Sequence, residues 1–80
     1  MVTPEQVQNY IAQGLECQFL EVAGDGQHFQ AVIVSPAFRG KNRVQQHQLV
    51  YAALGERMRE EIHALSLRTF TPETWQDLQQ

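Results

Sequence analysis

Apolar residues fall at helical spacing at the start of the chain, then alternate, then return to helical spacing, and these switches divide it into elements. Val7, Tyr10 and Ile11 share one helical face behind Thr3-Pro4-Glu5-Gln6. Thr3 can cap this helix, Pro4 fits the first helical position where no donor is needed, and Gln6 completes a capping box. Gly14 is the expected stop, through the left-handed conformation that glycine adopts cheaply. From Cys17 to Ala23, Phe19, Leu20 and Val22 supply strand-forming bulk; Gly24-Asp25-Gly26 supplies turn chemistry, and His28 to Val34 reads as the returning strand of a hairpin.

Ser35-Pro36-Ala37-Phe38-Arg39-Gly40 breaks the periodicity and reads as a loop. Asn42, with Gln45 three residues on, opens a second helix whose stripe is Val44, His47, Tyr51, Leu54 and Met58, with Gly55 weakening or ending its last turn. Ile62 to Thr69 alternates again as a third strand, with Leu65 and Leu67 in phase with His63. Thr71-Pro72-Glu73 repeats the capping chemistry of residues 3 to 5 without implying duplication, and opens a short last helix carrying Trp75 and Leu78.

The order predicts an α+β fold, αββαβα, as a single domain over residues 1–80. The second helix is the crossover between strands two and three, which makes them parallel and the connection right-handed. With 80 residues, 42% of them apolar, the chain can close one modest core. No apolar run approaches the roughly 20 residues of a membrane span, and the N-terminus lacks the pattern of a signal peptide. A cytoplasmic protein with no membrane association is expected. One cysteine, Cys17, builds neither an internal disulfide nor a cysteine-type zinc site and reads as a small buried hydrophobe.

Formal net charge is -3, which argues against the broad basic field of a nucleic-acid-binding domain. The cations are clustered, however: Arg39, Lys41 and Arg43 are three of the six Lys and Arg residues. Two readings of this segment stand together. It is a solvated connection with Phe38 tucked into the core, or, with its glycine and the following helix start, a surface suited to phosphate or an acidic partner.

Catalysis is not expected. The chain has no phosphate-binding glycine loop and no nucleophile elbow, and neither Ser35 nor Ser66 has an evident activating base. Chemistry, if present, runs through imidazole. Taken singly, His28, His47 and His63 each read as packed or solvated histidines. Taken together, His28 and His63 begin adjacent parallel strands and are expected at one edge of the sheet. Two nitrogens are too few for a closed zinc site, so such a site would wait for ligands from elsewhere.

Several segments, taken in order, resemble the BolA family over essentially the whole chain, closest to its small acidic bacterial branch. They are Gly24-Asp25-Gly26-Gln27-His28-Phe29, Val34-Ser35-Pro36-Ala37-Phe38-Arg39-Gly40, Val44-Gln45-Gln46-His47-Gln48-Leu49-Val50-Tyr51, Ile62-His63-Ala64-Leu65-Ser66-Leu67 and Thr71-Pro72-Glu73-Thr74-Trp75. The resemblance implies a fold like the class II KH domain, a three-stranded mixed sheet with helices packed on it. It also implies a partner: a monothiol glutaredoxin carrying Cys-Gly-Phe-Ser, with which the chain would share a 2Fe-2S cluster whose other ligands are the glutaredoxin cysteine and a glutathione thiolate. On this chain the implied ligands are His63, in the Ile-His-Ala motif, and a second residue from the first hairpin.

Two departures from the family pattern matter. Asp25 stands at the loop-ligand position where some relatives have cysteine, which leaves His28 as the nearest suitable donor. The family's Arg-His-Arg motif is Gln46-His47-Gln48, which removes two cations from a surface sometimes assigned to nucleic acid. The role implied is iron-sulfur trafficking or iron and redox regulation, with no cofactor in the isolated chain, which would be a monomer or weak homodimer. The alternative is a nucleic-acid-binding transcriptional regulator linked to stress, contacting its target through Arg39, Lys41, Arg43 and His47. A third reading is an adaptor that docks on the glutaredoxin without touching the cluster.

Overall fold

The computed structural model describes residues 2–62 and 64–79; His63 lies outside the described residues. Helix α1 (Pro4–Gly14), strands β1 (Phe19–Gly24) and β2 (His28–Val34), a 3-10 turn (Pro36–Phe38), helices α2 (Arg43–Leu54) and α3 (Arg57–Glu60), strand β3 (Ala64–Phe70) and helix α4 (Pro72–Leu78) follow in order. The sheet order is β1-β2-β3. β1 runs antiparallel to β2, from Phe19 opposite Val34 to Gly24 opposite Phe29. β3 runs parallel to β2, from Ala64 beside His28 to Phe70 beside Val34. The expected αββαβα order is present, with the 3-10 turn and α3 as additions.

Local chemistry starts each long helix. In α1 the Thr3 amide donates to Gln6 Oε1 at 2.9 Å and the Gln6 amide donates back to Thr3 Oγ1 at 3.2 Å. Asn42 and Gln45 make the same exchange before α2, and Thr71 and Thr74 before α4. Each box satisfies amides that a helix start would otherwise leave without partners.

Strand alternation separates two faces of the sheet. One carries Val22, Phe29, Ala31 and Ile33 into a core closed by Val7 and Ile11 of α1, Val50 and Leu54 of α2, and Phe38. Leu65 and Leu67 of β3 pack against this core. The other face carries the rows Phe19–Val34–Phe70 and Glu21–Val32–Arg68, then Gln30 and His28 toward the far end. α4 covers the first of these rows through Trp75, whose ring lies 5.2 Å from both Phe19 and Phe70. Toward His28 the face is exposed.

Three expectations are corrected. Gly14 does not end α1 in the left-handed region; the positive-φ glycines are Gly26, Gly40 and Gly55. A Cβ at position 14 would stand 2.8 Å from Ala53 Cβ, so glycine there permits close approach of α1 to α2. The buried stripe of α2 is also rotated from the expected one. Val50 and Leu54 are buried, while Val44 and Tyr51 are exposed at 65% and 40%. Met58 belongs to α3, because Gly55, at φ 59°, ends α2 by donating its amide to the Tyr51 carbonyl. Finally, β1 begins at Phe19 and leaves Cys17 in the preceding connection. Among the described residues no helix is long and apolar enough to cross a membrane.

Candidate functional site

Of the expected donors, Asp25 lies in the turn that leads into β2 and His28 is the first residue of that strand. Asp25 closes the hairpin: its Oδ1 accepts from the His28 amide at 2.9 Å and the Gln27 amide at 3.0 Å, and its own amide donates to the His28 carbonyl at 3.2 Å. The amides of His28 and then Gln27 hold this carboxyl below the usual carboxylate range. Asp25 is therefore committed to the turn. His28 is exposed on the open face, and its imidazole makes no hydrogen bond among the described residues. Its register partner is Ala64, the residue that follows His63 in the chain. The expected pairing of His28 with His63 itself lies outside the described residues. Among those residues no group of three or more His, Cys, Asp or Glu could hold a metal ion.

Cys17 belongs to the opposite end of the sheet, since the neighbouring Gln18 amide donates to the Val34 carbonyl. Burial pushes its thiol up, and Sγ donates to the Leu15 carbonyl at 3.4 Å. These features favour the thiol form over the thiolate that ligates metals.

The carboxyl ends of the parallel strands are more densely connected. Buried Ser35 donates to the Glu16 carbonyl and accepts from the Ala37 amide, while its own amide donates to the Phe70 carbonyl. Phe38 is fully buried, as the structural reading of the basic segment expects. Arg39 makes a two-pronged contact with Glu73, Nε at 3.0 Å and Nη2 at 2.7 Å. That contact holds the Glu73 carboxyl below its ordinary range. Arg39 is thus an ion-paired tie between the loop and α4, whereas Lys41 and Arg43 are exposed.

A groove of about 560 Å³ follows the outer edge of β3. Arg43, Gln46 and His47 line it from α2, residues 67–70 from β3, and Thr71 and Thr74 from the start of α4. Gln46 spans the groove's base, donating to the Lys41 carbonyl at 2.9 Å and accepting from Thr69 Oγ1 at 2.7 Å. His47 is half-buried, and burial, followed by the charge of Arg43, pushes its imidazole below the ordinary value. Arg68 lies 5.5 Å from the Phe70 ring centroid. Sequence reading did not identify Arg68, although its place between Leu67 and Thr69 already puts a cation on the open side of an alternating strand.

KH domains clamp nucleic-acid backbone with a Gly-x-x-Gly loop, and in this chain the short turn between consecutive helices is the one from α2 to α3. Here it reads Gly55-Glu56-Arg57-Met58, and Arg57 lies over the Tyr10 ring at 4.2 Å from its centroid. The second glycine of a backbone clamp is missing.

Comparison with known proteins places this geometry among relatives. The chain is 38% identical over 71 residues to the acid stress protein IbaG of Escherichia coli K12, covering 88% of this chain and 84% of that protein. It is 32% identical over 89 aligned residues to the DNA-binding transcriptional regulator BolA of the same organism, with 99% and 85% covered. The solved structure of a BolA homologue from Coxiella burnetii superposes with a TM-score of 0.88 at 44% identity, covering 95% of this chain and 99% of that one. Residues 11–74 match the profile of the family described as BolA-like protein, and the chain belongs to the BolA family.

Proposed function

We propose that the chain is the BolA-side partner of a monothiol glutaredoxin, sharing with it a glutathione-ligated 2Fe-2S cluster for iron-sulfur trafficking or iron and redox regulation. The observation that carries this reading is the exposed imidazole of His28 beside the first residue of β3, in a chain of this family. His63 and His28 would hold the cluster. The donor chemistry of His28 fits, because neutral imidazole replaces thiolate on one iron in Rieske-type centres and raises the potential. Asp25 fits poorly, since its carboxylate is occupied by backbone amides and is a harder ligand than iron-sulfur clusters favour. A site with at most two donors on one protein is completed by the glutaredoxin cysteine and glutathione. When bound, the cluster supplies electron storage and can be passed on; the chain's own histidines set its exposure and its sensitivity to pH.

Reconstitution of the full chain with a Cys-Gly-Phe-Ser glutaredoxin, glutathione, iron and sulfide tests the proposal through visible absorbance and circular dichroism. His63→Ala abolishes the mixed-ligand spectrum, His28→Ala alters it, and Asp25→Ala leaves it in place. A spectrum untouched by His63→Ala reduces the chain to a docking adaptor and overturns the reading.

A second reading, nucleic-acid binding, is supported by the regulator similar to this chain and by the exposed cations Lys41, Arg43 and Arg68. Three phosphate contacts give log affinity against log salt a slope of about -3. A flat salt dependence, or no binding at moderate salt, eliminates it.

A further inference from the structure

We infer that the groove along the outer edge of β3 is a binding site for a small phosphate ester, its phosphate held between Arg43 and Arg68 with His47 beside it. The groove's volume, about 560 Å³, lies within the range of small-molecule sites. Its charge is one-sided: two guanidiniums and an imidazole line it, and no carboxylate does. Glu73, on the neighbouring first turn of α4, is turned onto Arg39 and so largely neutralised. Among the described residues neither Arg43 nor Arg68 has a carboxylate partner, in a chain whose formal net charge is -3.

The remaining polar groups of the wall are already committed. Gln46 is bonded at both ends of its amide, Thr69 donates to it, and Thr71 and Thr74 satisfy each other across their capping box. The donors left over are those of Arg43, Arg68 and His47. Guanidinium is the side chain best suited to phosphate oxygens, and the Phe70 ring near Arg68 helps to orient it. Leu67 and Phe70 add apolar surface to the same groove. That mixture suits an ester with an organic body better than a bare ion.

His47 provides the readout. Arg43 on its own helix and Arg68 across the groove on β3 are the charged groups that line this site with it, and α4 contributes only Thr74 and its cap Thr71. A dianion seated between the arginines reverses the local field and favours the imidazolium.

The test uses the isolated chain without glutaredoxin, so its result is independent of the cluster reading. His47 imidazole resonances are followed by NMR while inorganic phosphate or adenosine 5'-monophosphate is added, against sodium chloride at matched ionic strength. Both phosphate probes should give saturable shifts and raise the His47 pKa, with the nucleotide binding more tightly. Arg43→Gln and Arg68→Gln should each weaken binding about tenfold or more, the loss expected for one charge-assisted hydrogen bond. Arg59→Gln, on exposed α3, should leave binding unchanged and serves as the charge control. Shifts equalled by chloride, or retained when both Arg43 and Arg68 are replaced, overturn the proposal. Binding of a single-stranded oligonucleotide without binding of the mononucleotide also overturns it and returns the surface to the nucleic-acid reading.

Discussion

Ile33 and Val34 are consecutive residues of β2, both with no exposed surface, yet they are buried by different regions of the molecule. Ile33 faces a layer built by α1 and α2, in which Val7, Ile11, Val50 and Leu54 are themselves buried. Val34 lies on the opposite face, outside that core cluster, in the row that Trp75 of α4 covers. α4 has no buried residue of its own. One face is a packed interior, while the other is a half-open surface pinned at one end. The exposed His28 and the cation Arg68 both stand on the second face, where a partner or ligand can reach them without disturbing the fold.

The largest test of this contrast is Ile33→Ala, which should cost about 4 kcal/mol in denaturant unfolding because the cavity opens among side chains that cannot collapse into it. Trp75→Ala should cost about 2 kcal/mol and raise amide exchange in α4 while leaving β2 protected, since it removes a stacked ring from a surface helix. Val34→Ala should cost only about 1.5 kcal/mol, near the transfer value for the atoms removed, because α4 can settle onto the smaller side chain. A Val34→Ala penalty equal to that of Ile33→Ala would show that both faces are sealed alike.

The smallest effect is electrostatic. Asp25 and Glu73 have native pKa values below their ordinary ones, so each contributes stability that is present above the ordinary carboxylate range. That stability is lost as pH falls through the lowered native value. Carboxyl-carbon NMR titration should find both below the unfolded reference, and Arg39→Gln should move Glu73 upward without moving Asp25. His47 is depressed as well, and it shifts stability in the same direction as the two carboxyls but at higher pH: its native form resists protonation, so stability declines as pH falls below the ordinary imidazole value.

Much of this fold was legible in the residues because its signals are local. Capping boxes at Thr3, Asn42 and Thr71 need only a side chain and an amide three positions on, and the Asp25 turn is equally short-range. Features set by distant neighbours were not legible. The role of Gly14 depends on Ala53, which no local pattern brings near it. The expected stripe of α2 holds at Leu54 and fails at Val44 and Tyr51 because apolar residues lie on several sides of that helix, and only its seat on the sheet selects Val50 over Tyr51. α3 is a single turn with no side-chain cap to announce it. At the candidate sites, the place of His28 at the start of β2 follows from the strand pattern, whereas the groove joins residues from three separate elements, and Arg68 gains meaning only when α2 stands beside it.

The stacked ring of Trp75 has a practical consequence. It is the chain's single indole, and it bridges Phe19 at the start of one outer strand and Phe70 at the end of the other. Its intrinsic emission is a label-free signal that fades or shifts when something engages or loosens that corner and stays constant when a visitor docks only near the hairpin. Fluorescence recorded while a tryptophan-free form of the proposed partner is titrated would therefore locate the contact without any dye.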